Sequence, residues 1–274
     1  MPAMAPDEIE RLQVLIKDHC GIRVDASKLN FSLQRAWPVL ARQGVTDVAA
    51  LIRGLTFQAR TMWPVLLPFL TINETYFMRE PKQLEDFLTR ALPELRARAT
   101  QRGEMGIRVL SAACSTGEEA YTLAMLLEEV PVRAKIIGVD IDHEALTTAE
   151  GATYGAYSFR GVTPEWRAQR FEDASPSTWR VMPVYRDKVS FKQGNLLQVD
   201  TMFAGQRFDA IFCRNVLIYF DRPTQLAVIH QLRRLLVPGG FLFLGHSEMF
   251  FNEDLGLEMV TTERSTMYQL KEGL

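Results

Sequence analysis

Apolar residues recur at helical spacing from residue 7 to residue 70. Ile9, Leu12, Leu15 and Ile16 predict a first helix that Asp7 can cap and that ends near Gly21. Leu29, Leu33, Trp37 and Leu40 predict a second, capped by Ser27, placed to kink at Pro38 and over by Gly44. A third is expected from about Asp47 to Leu55. A fourth runs from about Ala59 to Leu70, where Pro64 and Pro68 should distort it. No strand signal appears in this stretch.

A polar junction follows, Thr71 to Pro81. Pro81 can open a further helix through Leu84, Phe87, Leu88 and Leu92. The pattern then changes. Ile107, Val109 and Leu110 form a short apolar run, residues 111–117 are small or polar, and helical spacing resumes at Ala120, Leu123, Ala124 and Leu127. Buried strand, tight turn and helix open a βαβ unit. Lys135–Asp140 reads as a second strand and 141–151 as a short helix. Residues 154–190 break the alternation: aromatic residues, a helix at Pro164–Phe171, a turn-rich Glu172–Thr178, and an alternating Trp179–Tyr185 interrupted by Pro183. This is expected to be an inserted small β element. Strands at Lys188–Lys192, Phe208–Cys213 and Phe241–Gly245 flank a helix that starts at Pro223 and stops at Pro238-Gly239-Gly240. Thr266–Leu270 can add a last antiparallel strand. The class is α/β, a doubly wound Rossmann-like sheet behind an all-α N-terminal region. Ligands of such sheets bind at the carboxyl ends of the strands, where Glu119, Asp140, Asn195, Arg214 and Asn215 fall.

Composition adds limits. At 274 residues, 47% hydrophobic and 23% charged, the chain can fold as one large domain plus a small one. A net charge of −2 argues against nucleic acid as the main partner. Residues 23–60 are locally basic, with six Lys or Arg against Asp25 and Asp47, either to steer an acidic partner or as a solvated helical face. Cys20, Cys114 and Cys213 form no CxxC pair, so neither a metal site nor a disulfide is expected, and a reducing cytoplasm suits them. No leader pattern and no long apolar run is visible, so membrane insertion is not expected.

The turn after the first strand is unsuited to a phosphate. No Lys follows Gly117, and there is no GxGxxG. Glu118 and Glu119 at the helix start would attract a cation. Asp140, 23 residues past Gly117 at the end of the next strand, can accept hydrogen bonds from both ribose hydroxyls. A ribose acceptor beside carboxylates suggests S-adenosylmethionine, which carries a sulfonium and an ammonium. Otherwise the two glutamates are acids favoured by the helix dipole.

Six segments in order resemble the chemotaxis receptor methyltransferases, the CheR family: NETYFMRE at 73–80, SAACSTGEEAYTLAM at 111–125, GVDID at 138–142, GNLL at 194–197, FDAIFCRNVLIYFD at 208–221 and LVPGGFLFLGHSE at 236–248. The resemblance implies a helical domain at 1–70, a linker at 71–82 covering the cofactor, and a methyltransferase domain at 83–274. That domain would hold a seven-stranded sheet and an inserted β-subdomain at about 155–190. It implies a monomer that transfers a methyl group from S-adenosylmethionine, leaving S-adenosylhomocysteine, to glutamates in the helical methylation region of chemoreceptors. Asn73, Thr75 and Arg79 would cover the cofactor, Glu119 would meet its methionine end and Asp140 its ribose. Asn195 and Leu196 would flank the adenine, Arg214 and Asn215 would line the pocket, and Arg79 and Tyr219 would stand nearest the methyl.

One departure is visible. Some relatives carry a glycine-bearing loop in the insertion that helps hold a receptor's tethering peptide, and Glu172–Trp179 has no glycine. Direct recognition of the methylation helices is therefore expected. Glutamate, with a pKa of about 4.3, is already ionised at neutral pH, so no general base is needed. None is evident; in His246-Ser247-Glu248 adjacent side chains do not face one another. The rivals are a methyltransferase for a small molecule or nucleic acid, a non-enzymatic module that binds the same cofactor, and an NAD enzyme. The charge and the absence of a DPPY-like motif count against nucleic acid.

Overall fold

The computed structural model describes residues 4–250 and 255–271. Four helices open the chain: α1 (Pro6–Cys20), α2 (Ala26–Arg42), α3 (Val48–Phe57) and α4 (Ala59–Leu70). Their apolar stripes meet in one core that includes Leu12, Ile16, Leu29, Leu33, Leu51 and Leu66. Two caps differ from expectation. Asp25, the extended residue before α2, accepts the Lys28 N–H at 2.8 Å, while Ser27 lies inside the first turn and donates to Asp25. α1 starts before Asp7, and Glu8 reaches back to the Ala5 N–H at 2.9 Å. Pro38, Pro64 and Pro68 sit inside their helices without ending them.

After residues 71–80 come α5 (Pro81–Asp86), a π-helical turn (Phe87–Ala91) and α6 (Leu92–Gln101). Then follow β1 (Gly106–Ala112), α7 (Glu118–Glu128), β2 (Arg133–Asp140) and α8 (His143–Gly151). The insertion holds β3 (Thr153–Gly155), α9 (Pro164–Ala168), β4 (Phe171–Ser175), β5 (Thr178–Val181) and α10 (Pro183–Arg186). The rest comprises β6 (Val189–Gln193), α11 (Val199–Met202), β7 (Phe208–Cys213), α12 (Arg222–Leu235), β8 (Leu236–Leu244), β9 (Leu257–Thr261) and β10 (Thr266–Leu270).

The main sheet has seven strands in the order β6-β2-β1-β7-β8-β10-β9, with β10 antiparallel to both neighbours. Strand alternation divides its two faces. Val109, Phe212, Phe241 and Phe243 pack under α5–α7, and Leu110, Ile211, Leu242 and Leu244 pack under α12. Phe212 and Phe243 stack at 4.4 Å, with Phe87 set edge-on to both. The chain winds outward from β1 to β2 and β6, then returns to β7 on the other side of β1. The crevice of a doubly wound sheet therefore lies above the carboxyl ends of β1 and β7. β8 begins at Leu236 rather than Phe241, because Pro238-Gly239-Gly240 is absorbed where its pairing with β7 slips in register.

The insertion is a three-stranded antiparallel sheet, β3-β5-β4. The expected turn-rich Glu172–Thr178 is instead mostly strand. Four of the five β4 side chains are exposed, so β4 carries no apolar alternation to read. Its turn passes through Pro176 and Ser177, the latter at φ 65°. Pro183 ends β5 early and opens α10.

Candidate active site

Asn73, Thr75, Arg79, Glu119, Asp140, Asn195, Leu196, Arg214, Asn215 and Tyr219 all line one cleft at that crevice. Its floor is the turn after β1. Ala113 at φ 64° and Ser115 at φ 50° are left-handed without being glycine, a cost of order 1 kcal/mol each. Two bonds hold them there: Cys114 N–H to the Val139 carbonyl at 2.9 Å, and Ser115 N–H to Asp140 Oδ2 at 2.7 Å. Gly117 has φ 94°, and a Cβ on it would meet Ala149 Cβ at 2.8 Å, so the turn can pack against α8 only with glycine.

The two glutamates at the start of α7 separate. Glu119 faces the cleft, where Ser111 Oγ donates at 2.6 Å and Arg214 Nε at 2.7 Å. Glu118 points to the insertion and accepts from Thr116 and Ser158; burial raises its pKa. The cation-attracting pair read from the sequence is thus one carboxylate. Arg214, with its side chain 2% exposed, spends its guanidinium on the protein: on Glu119, on the Arg79 carbonyl at 3.0 Å and beside Glu80 at 3.7 Å. It joins α7, the end of β7 and the linker, and it orients Glu119.

Asp140 is buried, and burial drives its carboxyl up to about 6 despite the Asp142 and Ser115 N–H groups that favour its charge. Asp142, to which the sequence reading gave no role, ties the linker down. One of its oxygens caps α8 through the Glu144 and Ala145 N–H groups. The other accepts from Thr71 Oγ1 and Asn73 Nδ2, both at 2.7 Å. Its signal was present: an Asp directly before a helical run is an N-cap. Asn73 then takes a 3.0 Å bond from Ser115 Oγ, so residues 71–73 are pinned across the turn.

Asn195 and Leu196 close the opposite wall. Asn195 Nδ2 donates to the His19 carbonyl at 2.6 Å and its Oδ1 caps Leu197, so its amide is committed to the protein. Cys20 and Ile22, from the helical region, complete this wall, a contribution absent from the sequence reading. Asn215, at φ 59°, donates Nδ2 to Glu80 and its N–H to Glu248, while its buried Oδ1 has no partner. An unsatisfied acceptor in the cleft fits the ammonium of an amino-acid group. At the mouth, burial raises the Tyr219 pKa although Arg79 nearby pulls it down, so Tyr219 is a neutral phenol. Cys20 and Cys114 are thiols, held up by burial. Glu248 of the His246–Glu248 segment accepts backbone N–H groups, as a structural residue does. Among the described residues no cluster of metal-ligating side chains occurs.

A doubly wound sheet whose crevice offers a buried carboxylate at the end of its second strand, a second, oriented carboxylate and an unpaired amide oxygen is that of a Rossmann-like S-adenosylmethionine-dependent methyltransferase. The chain belongs to the CheR methyltransferase family: residues 73–266 match the family described as CheR methyltransferase, SAM binding domain. It is similar to chemotaxis protein methyltransferase 1 of Pseudomonas aeruginosa, 32% identical over 96% of this chain and 98% of that one. The chemotaxis protein methyltransferase of Vibrio anguillarum is 31% identical over 93% and 94%. A probable biofilm formation methyltransferase, WspC, of Pseudomonas putida is 36% identical over 76% of this chain and 49% of its own length. S-adenosylmethionine is accordingly the cofactor. Among the described residues no helix is long and apolar enough to cross a membrane.

Proposed function

We propose that the protein methylates glutamate side chains in the cytoplasmic helical methylation region of chemoreceptors, as a cytoplasmic monomer that needs no tethering peptide. In this reading residues 1–70 are a helical domain and 71–82 a cover for the cofactor of the domain at 83–274. Glu119 and the free Asn215 Oδ1 hold the methionine end, with Arg214 fixing Glu119. Asp140 takes the ribose, Asn195 and Leu196 flank the adenine, and Asn73, Thr75 and Arg79 lie over the top. When bound, S-adenosylmethionine supplies a methyl group on a sulfonium.

The observation that carries the choice of acceptor is the chemistry of the mouth. Arg79 and Tyr219 are both hydrogen-bond donors, and the cysteines that line the same cleft are protonated thiols. The carboxylates of the cleft are taken up by protein donors, Glu74 by Tyr157 and Arg160, Glu119 by Ser111 and Arg214, and Asp140 by backbone N–H groups. No histidine lines the cleft, so no free base stands ready for a neutral acceptor. A glutamate side chain arrives ionised and needs only to be aimed and partly dehydrated. Arg79 or Tyr219 donates to one carboxylate oxygen and leaves the other free to attack. The tight Pro176-Ser177 turn, without the glycine-bearing loop, supports direct recognition of the methylation helices.

Tritiated methyl transfer into receptor-containing membranes, followed by alkaline release of methanol, tests the reaction. Volatile counts are expected, and base-stable product would overturn it. Arg79→Ala should lower turnover roughly hundredfold with a much smaller loss of cofactor affinity. Equal losses would make Arg79 a cofactor clamp. Micromolar capture of the enzyme by a tethering pentapeptide would refute direct recognition.

A further inference from the structure

The cofactor cover is held from outside the sheet. Residues 71–73 are tied to α8 by Asp142, but residues 74–77 bond to the insertion. Phe77 N–H donates to the Ser158 carbonyl at 2.9 Å, and its ring is fully buried among Tyr154, Phe159 and Phe171. The Glu74 carboxylate accepts from Tyr157 Oη and from the Arg160 guanidinium. Arg160 also donates to the Thr75 carbonyl at 3.3 Å and to that of Tyr157 at 2.7 Å. At Gly161 the cover approaches so closely that a Cβ would lie 2.8 Å from the Phe77 carbonyl oxygen.

Within this contact runs an alternating stack. The Arg160 guanidinium lies between two rings, 3.9 Å from the centroid of Tyr157 and 4.0 Å from that of Tyr76. The Arg79 guanidinium lies on Tyr76 too, at 5.8 Å. Cations over aromatic faces are attracted to the ring quadrupole, and a planar guanidinium also packs flat against a ring, which an ammonium cannot do. The order is Tyr157, Arg160, Tyr76, Arg79: it starts on an exposed tyrosine of the insertion and ends on a side chain that lines the cleft. Arg79 has little else to fix it; its side chain donates to the carbonyl of Glu74, itself part of the segment that Arg160 holds.

We propose that Arg160 and Tyr76 are positioning residues: the insertion sets the place of Arg79, and the closure of residues 74–79, through this stack. Neither residue is among those lining the cleft. The inference rests on the role given to Arg79 above. It assigns the inserted sheet a part in the methyl-transfer step even where no peptide is bound to it.

The test compares Arg160→Gln, Tyr76→Ala and Tyr76→Phe with the parent, all as full-length protein. Arg160→Gln and Tyr76→Ala should lower kcat at saturating S-adenosylmethionine by roughly tenfold to hundredfold, the range for slight misplacement of an aiming group. Melting temperatures should stay close to the parent's. Tyr76→Phe keeps the ring and should restore turnover. Release of S-adenosylhomocysteine, followed by rapid dilution, needs no acceptor. Arg160→Gln and Tyr76→Ala should speed it severalfold, and Tyr76→Phe should not. Unchanged release and turnover in the first two variants, losses that only follow the melting temperature, or a Tyr76→Phe as impaired as Tyr76→Ala would overturn the proposal. If the parent transfers no methyl to receptors while the release rates behave as expected, the acceptor assignment fails and the stack stands.

Discussion

Asp140 carries its charge against the cost of burial. Its carboxyl titrates near 6 instead of 3.8, so between those pH values the folded chain holds a proton that the unfolded chain has lost. That difference stabilises the fold fully below pH 3.8 and is lost as the pH rises through about 6. If Asp140 takes the ribose as proposed, binding runs the other way, because two ribose hydroxyls need an ionised acceptor. Affinity for S-adenosylhomocysteine should therefore weaken severalfold as the pH falls from 7 to about 5.5, with proton release on binding near pH 6. Calorimetry in buffers of different ionisation enthalpy reads both, and Asp140→Asn should abolish the proton release. A flat profile would mean that Asp140 is already ionised through that range, or meets no ribose. Asp140 could be read from the sequence because the end of a second strand fixes where a side chain points. Glu118 and Glu119 could not be told apart in the same way. Neighbours on a helix diverge by about 100°, and only the packing of the insertion decides which one is turned away.

Residues 71–80 form an element without secondary structure of their own, and their order comes from partners on three others. Asp142 on α8 holds the first part, the insertion the middle, and Arg214 the Arg79 carbonyl. Asp142→Ala removes the α8 cap, worth about 1 kcal/mol, together with the two linker bonds. Cofactor affinity should fall roughly tenfold, as expected for losing hydrogen bonds to a charged acceptor, with a modest drop in melting temperature. Titration calorimetry on the variant decides, and full affinity would show that the cover closes without this anchor. Sequence pattern revealed the segment as a polar junction but not these anchors, which are 69 to 135 residues away in the chain. The same limit explains β4. A strand with one buried side chain has no alternation to detect, whereas β1, β7 and β8 announce themselves because both of their faces are covered.

The helical bundle and the sheet meet along the cleft itself. Ile22 bridges to Phe220, Arg23 N–H donates to the Tyr219 carbonyl at 2.9 Å, and Lys17 pairs with Asp221 at 2.7 Å. These contacts place a groove lined by Lys17, Arg23 and Lys28, against Glu10 and Asp25, and by Val14 and Ile218 directly beside Tyr219. Of the six basic residues at 23–60, ambiguous in the sequence, Arg23 and Lys28 thereby gain a location next to the proposed site of attack. A methylation helix presenting several carboxylates would be drawn along this groove, and its glutamate would reach the mouth from the bundle side. The attraction acts mainly on encounter and weakens as the Debye length shrinks below about 10 Å. Receptor methylation at low acceptor concentration should thus slow severalfold between roughly 0.05 and 0.3 M salt. Cofactor affinity should change little over the same range. Arg23→Ala should flatten the salt dependence of methylation without altering cofactor binding. A rate indifferent to salt in the parent would point instead to docking through the exposed Val14 and Ile218.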